Sequence, residues 1–312
     1  MIRRWLSLAV KLAVTALLLW LVLRKIDLGA AWKAMQTLSP LAFAATVALL
    51  VIQLFVCGLR WQIVVRALDA QLSVLKATSV FTISNFFGLA LPGAVGGDVV
   101  RMWATHRLGL PLVTAVDSVV LERATTVLAL LLVVSLSEPL LAERVPAASL
   151  WIFPVLTGCA LLAVAIGMVL DRLPRGLREW RLIRGLAHLA FDTRRLYLAP
   201  RRIGPVLGVG ILGHLNLGLA AYALARGMHV EISCLDAVLL FMPAVLLATL
   251  PISVAGWGVR ENALVALYGF VGVPPEQAVA VSILFGLVST LVALPGGLLW
   301  LADRRRPANA TS

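Results

Sequence analysis

Ala237–Glu261 reads AVLLFMPAVLLATLPISVAGWGVRE, and this stretch decides the fold. Its apolar part, Ala237–Leu250, carries no charge. Yet it is shorter than the ~20 residues that take a helix across the hydrocarbon. Pro251 ends it, because proline cannot donate a helical hydrogen bond. A turn with Gly256 and Gly258 follows, then a second short helical stretch that opens on Arg260 and Glu261. The pattern predicts a re-entrant hairpin: half-helix, turn at membrane depth, half-helix back.

A second copy lies upstream. Ala77–Leu91 is apolar, short, and ends at Pro92-Gly93. Pro92-Gly-Ala-Val95-Gly-Gly97-Asp-Val-Val100-Arg101 lies without gaps over Pro251-Ile-Ser-Val254-Ala-Gly256-Trp-Gly-Val259-Arg260. The shared pattern is P-x-x-V-x-G-x-x-V-R. Leu108-Gly109-Leu110-Pro111 then resembles Val271-Gly272-Val273-Pro274, and a long apolar segment follows each. These parallels predict a duplication with units at about 77–136 and 237–301.

Outside the hairpins the chain alternates long apolar runs with short polar links. Of its 312 residues, 61% are hydrophobic and 13% charged. A soluble domain carries about 25% charged residues, so this chain cannot coat a water-facing surface. The reading is a single all-α polytopic membrane domain over 1–312 with about six spanning helices. Trp5–Leu23, Leu41–Leu59, Leu150–Leu170, Ile203–Ala225 and Ala278–Leu301 are long enough to cross. Val113–Leu136 is the sixth, with Asp117, Glu122 and Arg123 in its first half. Arg3 and Arg4 followed by an apolar run resemble a signal sequence, but the run is too long for one, and an uncleaved first helix is expected.

Loop charge orients the chain. The loop 171–202 holds nine Arg against three acids, so it is expected inside, as is the tail Arg304-Arg305-Arg306. Glu138 and Glu143 against Arg144, and Glu231 with His229, mark outer loops. Both termini come out cytoplasmic. The first loop, with Arg24, Lys25 and Lys33, departs from the rule. The first hairpin then enters from the cytoplasm and the second from outside. That makes the duplication an inverted repeat, the architecture in which transporters bind substrate where broken helices meet.

The net charge of +12 and pI near 10.9 follow from this topology, and nucleic acid is not expected as a partner. Cys57, Cys159 and Cys234 are far apart and read as packing residues. No metal-binding H-E-x-x-H, P-loop, G-x-S-x-G or paired-cysteine site occurs, so no catalytic set, metal site or cofactor is expected.

The turns concentrate the chemistry that remains. The first holds Gly96, Gly97, Asp98 and Arg101; the second holds Gly256, Gly258, Arg260 and Glu261. A charge at bilayer depth costs at least about 2.5 kcal/mol and is rarely idle. Glycines let backbone approach a ligand, and Arg presents a planar fork suited to phosphate. The set suits an anionic lipid head group. The alternative is pairing of Arg260 with Asp98, or of Arg101 with Glu261. Glu122 is a further candidate, whereas Asp117 reads as interfacial and solvated. His214 and Asn216 read chiefly as partners for a neighbouring helix. Arg175, Arg178, Arg181 and Arg184, interleaved with Leu177, Trp180 and Ile183, are expected to meet anionic inner-leaflet lipids.

Leu91–Arg101 and Leu250–Glu261 resemble the two signatures of the lysylphosphatidylglycerol synthase transmembrane region, also called the flippase-like domain family. The second signature is the more specific, and Asp98 matches the acid that often follows the Gly pair in the first. The resemblance runs from Trp5 to Leu301. It implies a bacterial inner-membrane protein that moves a phospholipid or isoprenoid lipid, without the aminoacyl-transferase part of the larger relatives. It also implies a lipid-synthesising enzyme as a partner. The rival expectation is a membrane-embedded enzyme or accessory subunit of a lipid-modifying pathway, whose acid/base candidates are limited to Asp98, Glu122 and Glu261. A scaffold for such a complex is the third.

Overall fold

The computed structural model describes residues 27–90, 96–144, 151–172, 181–250 and 256–304, with Ala16, Leu17, Trp20 and Ser253 besides. The fold is all-α, and the described residues contain no strand. In chain order the helices are α1 (Leu28–Gln36), α2 (Pro40–Ala67), α3 (Val74–Ala90), α4 (Gly96–Arg107), α5 (Leu112–Leu141) and α6 (Ile152–Gly167). Then come α7 (Arg181–Tyr197), α8 (Pro200–Gly227), α9 (Cys234–Thr249), α10 (Val259–Gly269), α11 (Pro275–Ala293) and α12 (Pro295–Arg304).

Four helices are long and apolar enough to cross a membrane: α2, α5, α8 and the continuous run Pro275–Ala302. At 1.5 Å per residue, a helix of 28 residues such as α2 spans about 42 Å, more than the ~30 Å hydrocarbon. Leu41 (81% exposed), Leu136 (74%) and Leu298 (70%) lie on these helices. Such bare leucines suit lipid and not water. The expected first span, Trp5–Leu23, lies outside the described residues apart from Ala16, Leu17 and Trp20, which are helical. The expected span Leu150–Leu170 is shortened to the 16-residue α6. It stops because Arg194 reaches the Met168 carbonyl and binds Asp171 through Nη1 (2.8 Å) and Nη2 (2.7 Å), so the chain turns into polar contacts there.

Local geometry recurs along the chain. Both α2 and α8 have 28 residues, begin at a proline and carry an arginine in the last turn. Each ends in a left-handed residue, Asp69 (φ 56°) and His229 (φ 58°). The closing bonds match: Asp69 N to Arg66 O (3.0 Å) and Ala70 N to Val65 O (3.1 Å), against His229 N to Arg226 O (3.1 Å) and Val230 N to Ala225 O (2.9 Å). Ser73 and Ser233 then accept from Lys76 N and Asp236 N at the starts of α3 and α9. After α4 and α10 come Gly109 (φ 99°) and Gly272 (φ 81°), followed by Pro111 and Pro274 and the long helices. The recurrence therefore begins at Pro40 and Pro200, well before the boundaries 77 and 237 drawn from sequence similarity.

The chain packs into two compact units. One comprises the described residues up to Leu54, of Thr82–Asp98 and from His214 onward. In it Asn216 Nδ2 donates to Leu49 O and Gln53 Oε1, both at 2.9 Å, and Tyr268 donates to Ala237 O (3.0 Å). Phe241 packs on Phe285, their ring centres 4.8 Å apart. The other comprises Phe55–Phe81 and the described residues of Val99–Gly213. Its cores gather Trp61, Val65, Val80 and Val119, and separately Val64, Leu121, Leu196 and Val206.

Candidate functional site

At the start of α4, Gly97 is a point of close approach. A Cβ there would lie 3.2 Å from Gly88 and strike the Ser84 carbonyl, while Ser84 Oγ donates to Gly97 O (2.7 Å). Gly96 opens the helix, and Asp98 is buried in its first turn, where the helix dipole favours an acid.

One turn later Arg101 is 1% exposed. It pairs with Glu122 Oε2 at 3.0 Å and lies over Trp61 (5.1 Å) and Phe81 (5.4 Å). Arg60 takes the other oxygen, Oε1, through Nε (2.9 Å) and Nη2 (2.5 Å). Thr126 Oγ also reaches Oε1 (3.1 Å), and Trp61 Nε1 donates to Ser118 Oγ (3.2 Å). One buried carboxylate thus holds two buried guanidinium groups. Arg60 escaped the sequence reading because it sits at the end of an apolar run, where an arginine ordinarily marks the interface. The signal was the apolar Trp61, Ile63, Val64 and Val65 beyond it, through which α2 runs on to Ala67 and carries Arg60 into the helix interior.

In the second turn Gly256 (φ 77°) and Gly258 (φ 83°) both adopt left-handed backbone. Gly258 N donates to Glu261 Oε2 (2.6 Å), so Glu261 caps α10. Glu261 Oε1 accepts from Arg260 Nη2 (2.9 Å) and Ser282 Oγ (2.8 Å). Arg260 also donates to Ser282 Oγ (2.9 Å) and Ser282 O (3.0 Å), and lies over Trp257 (5.3 Å) and Phe285 (5.5 Å). Gly286 makes room for this stack, since a Cβ there would sit 2.5 Å from Arg260 Nη2.

Arg260 pairs with its own neighbour, Glu261. Adjacent side chains point apart within a helix, but in the first turn no preceding turn fills the space. Glu261 folds back over it and meets the guanidinium. Arg101 in turn pairs with Glu122. The two motif arginines therefore share one environment: each is buried, each lies between two aromatic rings, and each binds a buried glutamate. Gly97 allows close helix packing, and Gly256 and Gly258 supply turn geometry.

Asp117 is not solvated. It is buried against α7, its Oδ2 2.6 Å from His188 Nδ1. His188 also lies 3.5 Å from Asp192 Oδ2. Burial pushes the Asp192 carboxyl up to about 6; His188 opposes the shift and Asp117 reinforces it. His106 caps the end of α4 at Leu110 O (2.9 Å), and Arg107 lies over Trp103 (4.9 Å). His214 is buried. Of the basic run, Arg175 and Arg178 fall outside the described residues, as do the side chains of Arg181 and Arg184.

The chain matches the family model described as lysylphosphatidylglycerol synthase TM region over residues 8–297, nearly its whole length, and it belongs to that family. No curated protein matches it.

Proposed function

We propose that this multi-pass member of the lysylphosphatidylglycerol synthase transmembrane-region family moves a phosphate-bearing lipid across the bacterial inner membrane. In this reading Arg60–Glu122–Arg101 and Arg260–Glu261–Ser282 bind or gate the head group. The observation that carries the reading is the pair of ring-flanked arginines beside the two helix breaks. Burying three charges in one cluster and two in another is costly without a use. A guanidinium held on a carboxylate is a ready exchange partner for phosphate, which offers the same two-oxygen geometry.

The function is transport and not catalysis. Both oxygens of Glu122 and of Glu261 already accept from arginine, serine, threonine or backbone donors, which leaves neither free as an acid or base. The rival reading, an enzyme or accessory subunit, is left with Asp98 of the three candidate acids.

Re-entrant hairpins in an inverted repeat suit this function, with both termini cytoplasmic. The contacts of α7 support that topology. Arg195 pairs with Asp69 just past the end of α2, Arg202 donates to Ala67 O (2.8 Å), and His188 meets Asp117 near the start of α5. The end of α2 and the start of α5 thus lie on the side of the basic loop. We read the segment joining them, α3 and α4, as leaving and returning on that side. The recurrence of the same turns and caps 160 residues on extends the argument to α9 and α10.

The test is the purified protein in liposomes, assayed for redistribution of labelled phosphatidylglycerol, phosphatidylethanolamine, a polyprenyl phosphate and a neutral diacylglycerol. Movement of at least one phosphate-bearing lipid, with the neutral lipid unaffected, is expected. Movement of none, in protein that remains monodisperse, rejects the reading.

A further inference from the structure

We propose that Asp117, His188 and Asp192 form a binding site for one divalent first-row metal ion, which fastens α7 to α5. The three donors come from two helices. His188 and Asp192 stand four residues apart on α7, on one face a turn apart, and Asp117 faces them from α5. Their ligand atoms all lie within 4.8 Å of one another. Bonds of ~2.0–2.2 Å from imidazole nitrogen and carboxylate oxygen to one ion close such a triangle with small side-chain rotations.

The burial is uneven. The side chains of Asp117 and Asp192 are 5% and 4% exposed, while that of His188 is 47% exposed. The carboxylates are thus held in a dry pocket and the third side stays open to water, which supplies the remaining ligands.

Charge points the same way. The arginines of α7 whose side chains are described do not neutralise the pair: Arg194 goes to Asp171 and Arg195 to Asp69. Among the described residues the one basic side chain that meets Asp117 or Asp192 is His188, shared between them. Two buried carboxylates against one imidazole leave excess negative charge in a place where charge is costly. A divalent ion cancels it and replaces their mutual repulsion with two bonds. One imidazole and two carboxylates suit Mn²⁺, Fe²⁺ or Zn²⁺; an all-oxygen shell would favour Ca²⁺ or Mg²⁺, and thiolates Cu(I). Sequence spacing could not have disclosed this set, because Asp117 lies far from the other two in the chain.

The experiment uses the full chain, purified in detergent with any affinity tag removed and stripped with a chelator. Mn²⁺ is titrated in and the free aquo-ion followed by its electron paramagnetic resonance signal. About one Mn²⁺ should bind per chain and be displaced by Zn²⁺. Asp117→Asn, Asp192→Asn and His188→Ala should each weaken Mn²⁺ binding at least about tenfold. Asn keeps the size of Asp, and size-exclusion profiles identify any variant that fails to fold. Asp171→Asn, which alters a carboxylate on the same side, should bind Mn²⁺ as the unaltered chain does. Absence of Mn²⁺ and Zn²⁺ uptake by the stripped protein overturns the proposal, as does uptake undiminished in the folded variants. The measurement needs no lipid, so its result stands apart from that of the transport assay.

Discussion

Arg260 makes three hydrogen bonds to two residues, Glu261 and Ser282, through two of its nitrogens. A lysine keeps the charge but not the fork. Arg260→Lys should therefore fold in near-normal amounts and move lipid poorly. Arg260→Ala removes one partner of a buried pair, which costs about 3–5 kcal/mol, so the yield of folded protein should fall. Adding Glu261→Gln should restore the yield but not the transport. Fluorescence-detected size exclusion reads the first quantity and liposome flux the second. Folded Arg260→Ala at full yield with undiminished flux would remove both the structural and the head-group role. The first cluster makes an ordering prediction. Glu122→Gln leaves two buried guanidinium groups facing a neutral amide, whereas Arg60→Ala leaves Glu122 still bound to Arg101. The melting temperature in detergent should fall further for Glu122→Gln, whose loss is again about 3–5 kcal/mol. The opposite order would mean that the packing of Arg60, beside Cys57, outweighs its charge.

At the scale of elements, the hairpins are defined by where their ends lie. Leu108 follows α4 and Gly269 ends α10; both are exposed, and a Cβ at Gly269 meets nothing. With Cys57, Cys159 and Cys234 replaced, Leu108→Cys should react with an impermeant maleimide from the cytoplasm and Gly269→Cys from the periplasm. Labelling of both from one side would sink the inverted-repeat reading. Leu110 would be a poor reporter, because it is buried in the core around Trp61. The short helices themselves were legible: Pro92 and Pro251 with their glycines delimit segments too brief to cross. The turns that close the long helices α2 and α8 were not, because a left-handed Asp69 or His229 has no marker as plain as glycine.

For the molecule as a whole, composition and structure tell one story. Large apolar side chains remain bare along α2, α5, α8 and α11–α12, and the buried polar groups gather in a few clusters. That division is what a bilayer imposes, since a lipid solvent rewards apolar contact outside and demands that every interior charge find a partner. The helix α7 is amphipathic and buries Ala190, Asp192, Thr193 and Leu196 on one side. It is bound to the rest of its unit through named polar contacts and does not merely mark topology.

The sequence by itself determined the all-α membrane class, the places of four of the long helices, the two breaks and the identity of Arg101, Glu122, Arg260 and Glu261 as charges that demand partners. Hydropathy, proline and glycine act locally, over one or two helical turns, so a linear reading captures them. Tertiary structure alone decided who those partners are. Arg60 joined Glu122 across 62 residues, and His188 joined Asp117 across 71. Ser282 closed on Arg260 across 22. Burial of a charge is a property of the packed molecule: which carboxylate a guanidinium meets depends on how helices distant in the chain rotate against each other, and no spacing along the chain encodes that rotation.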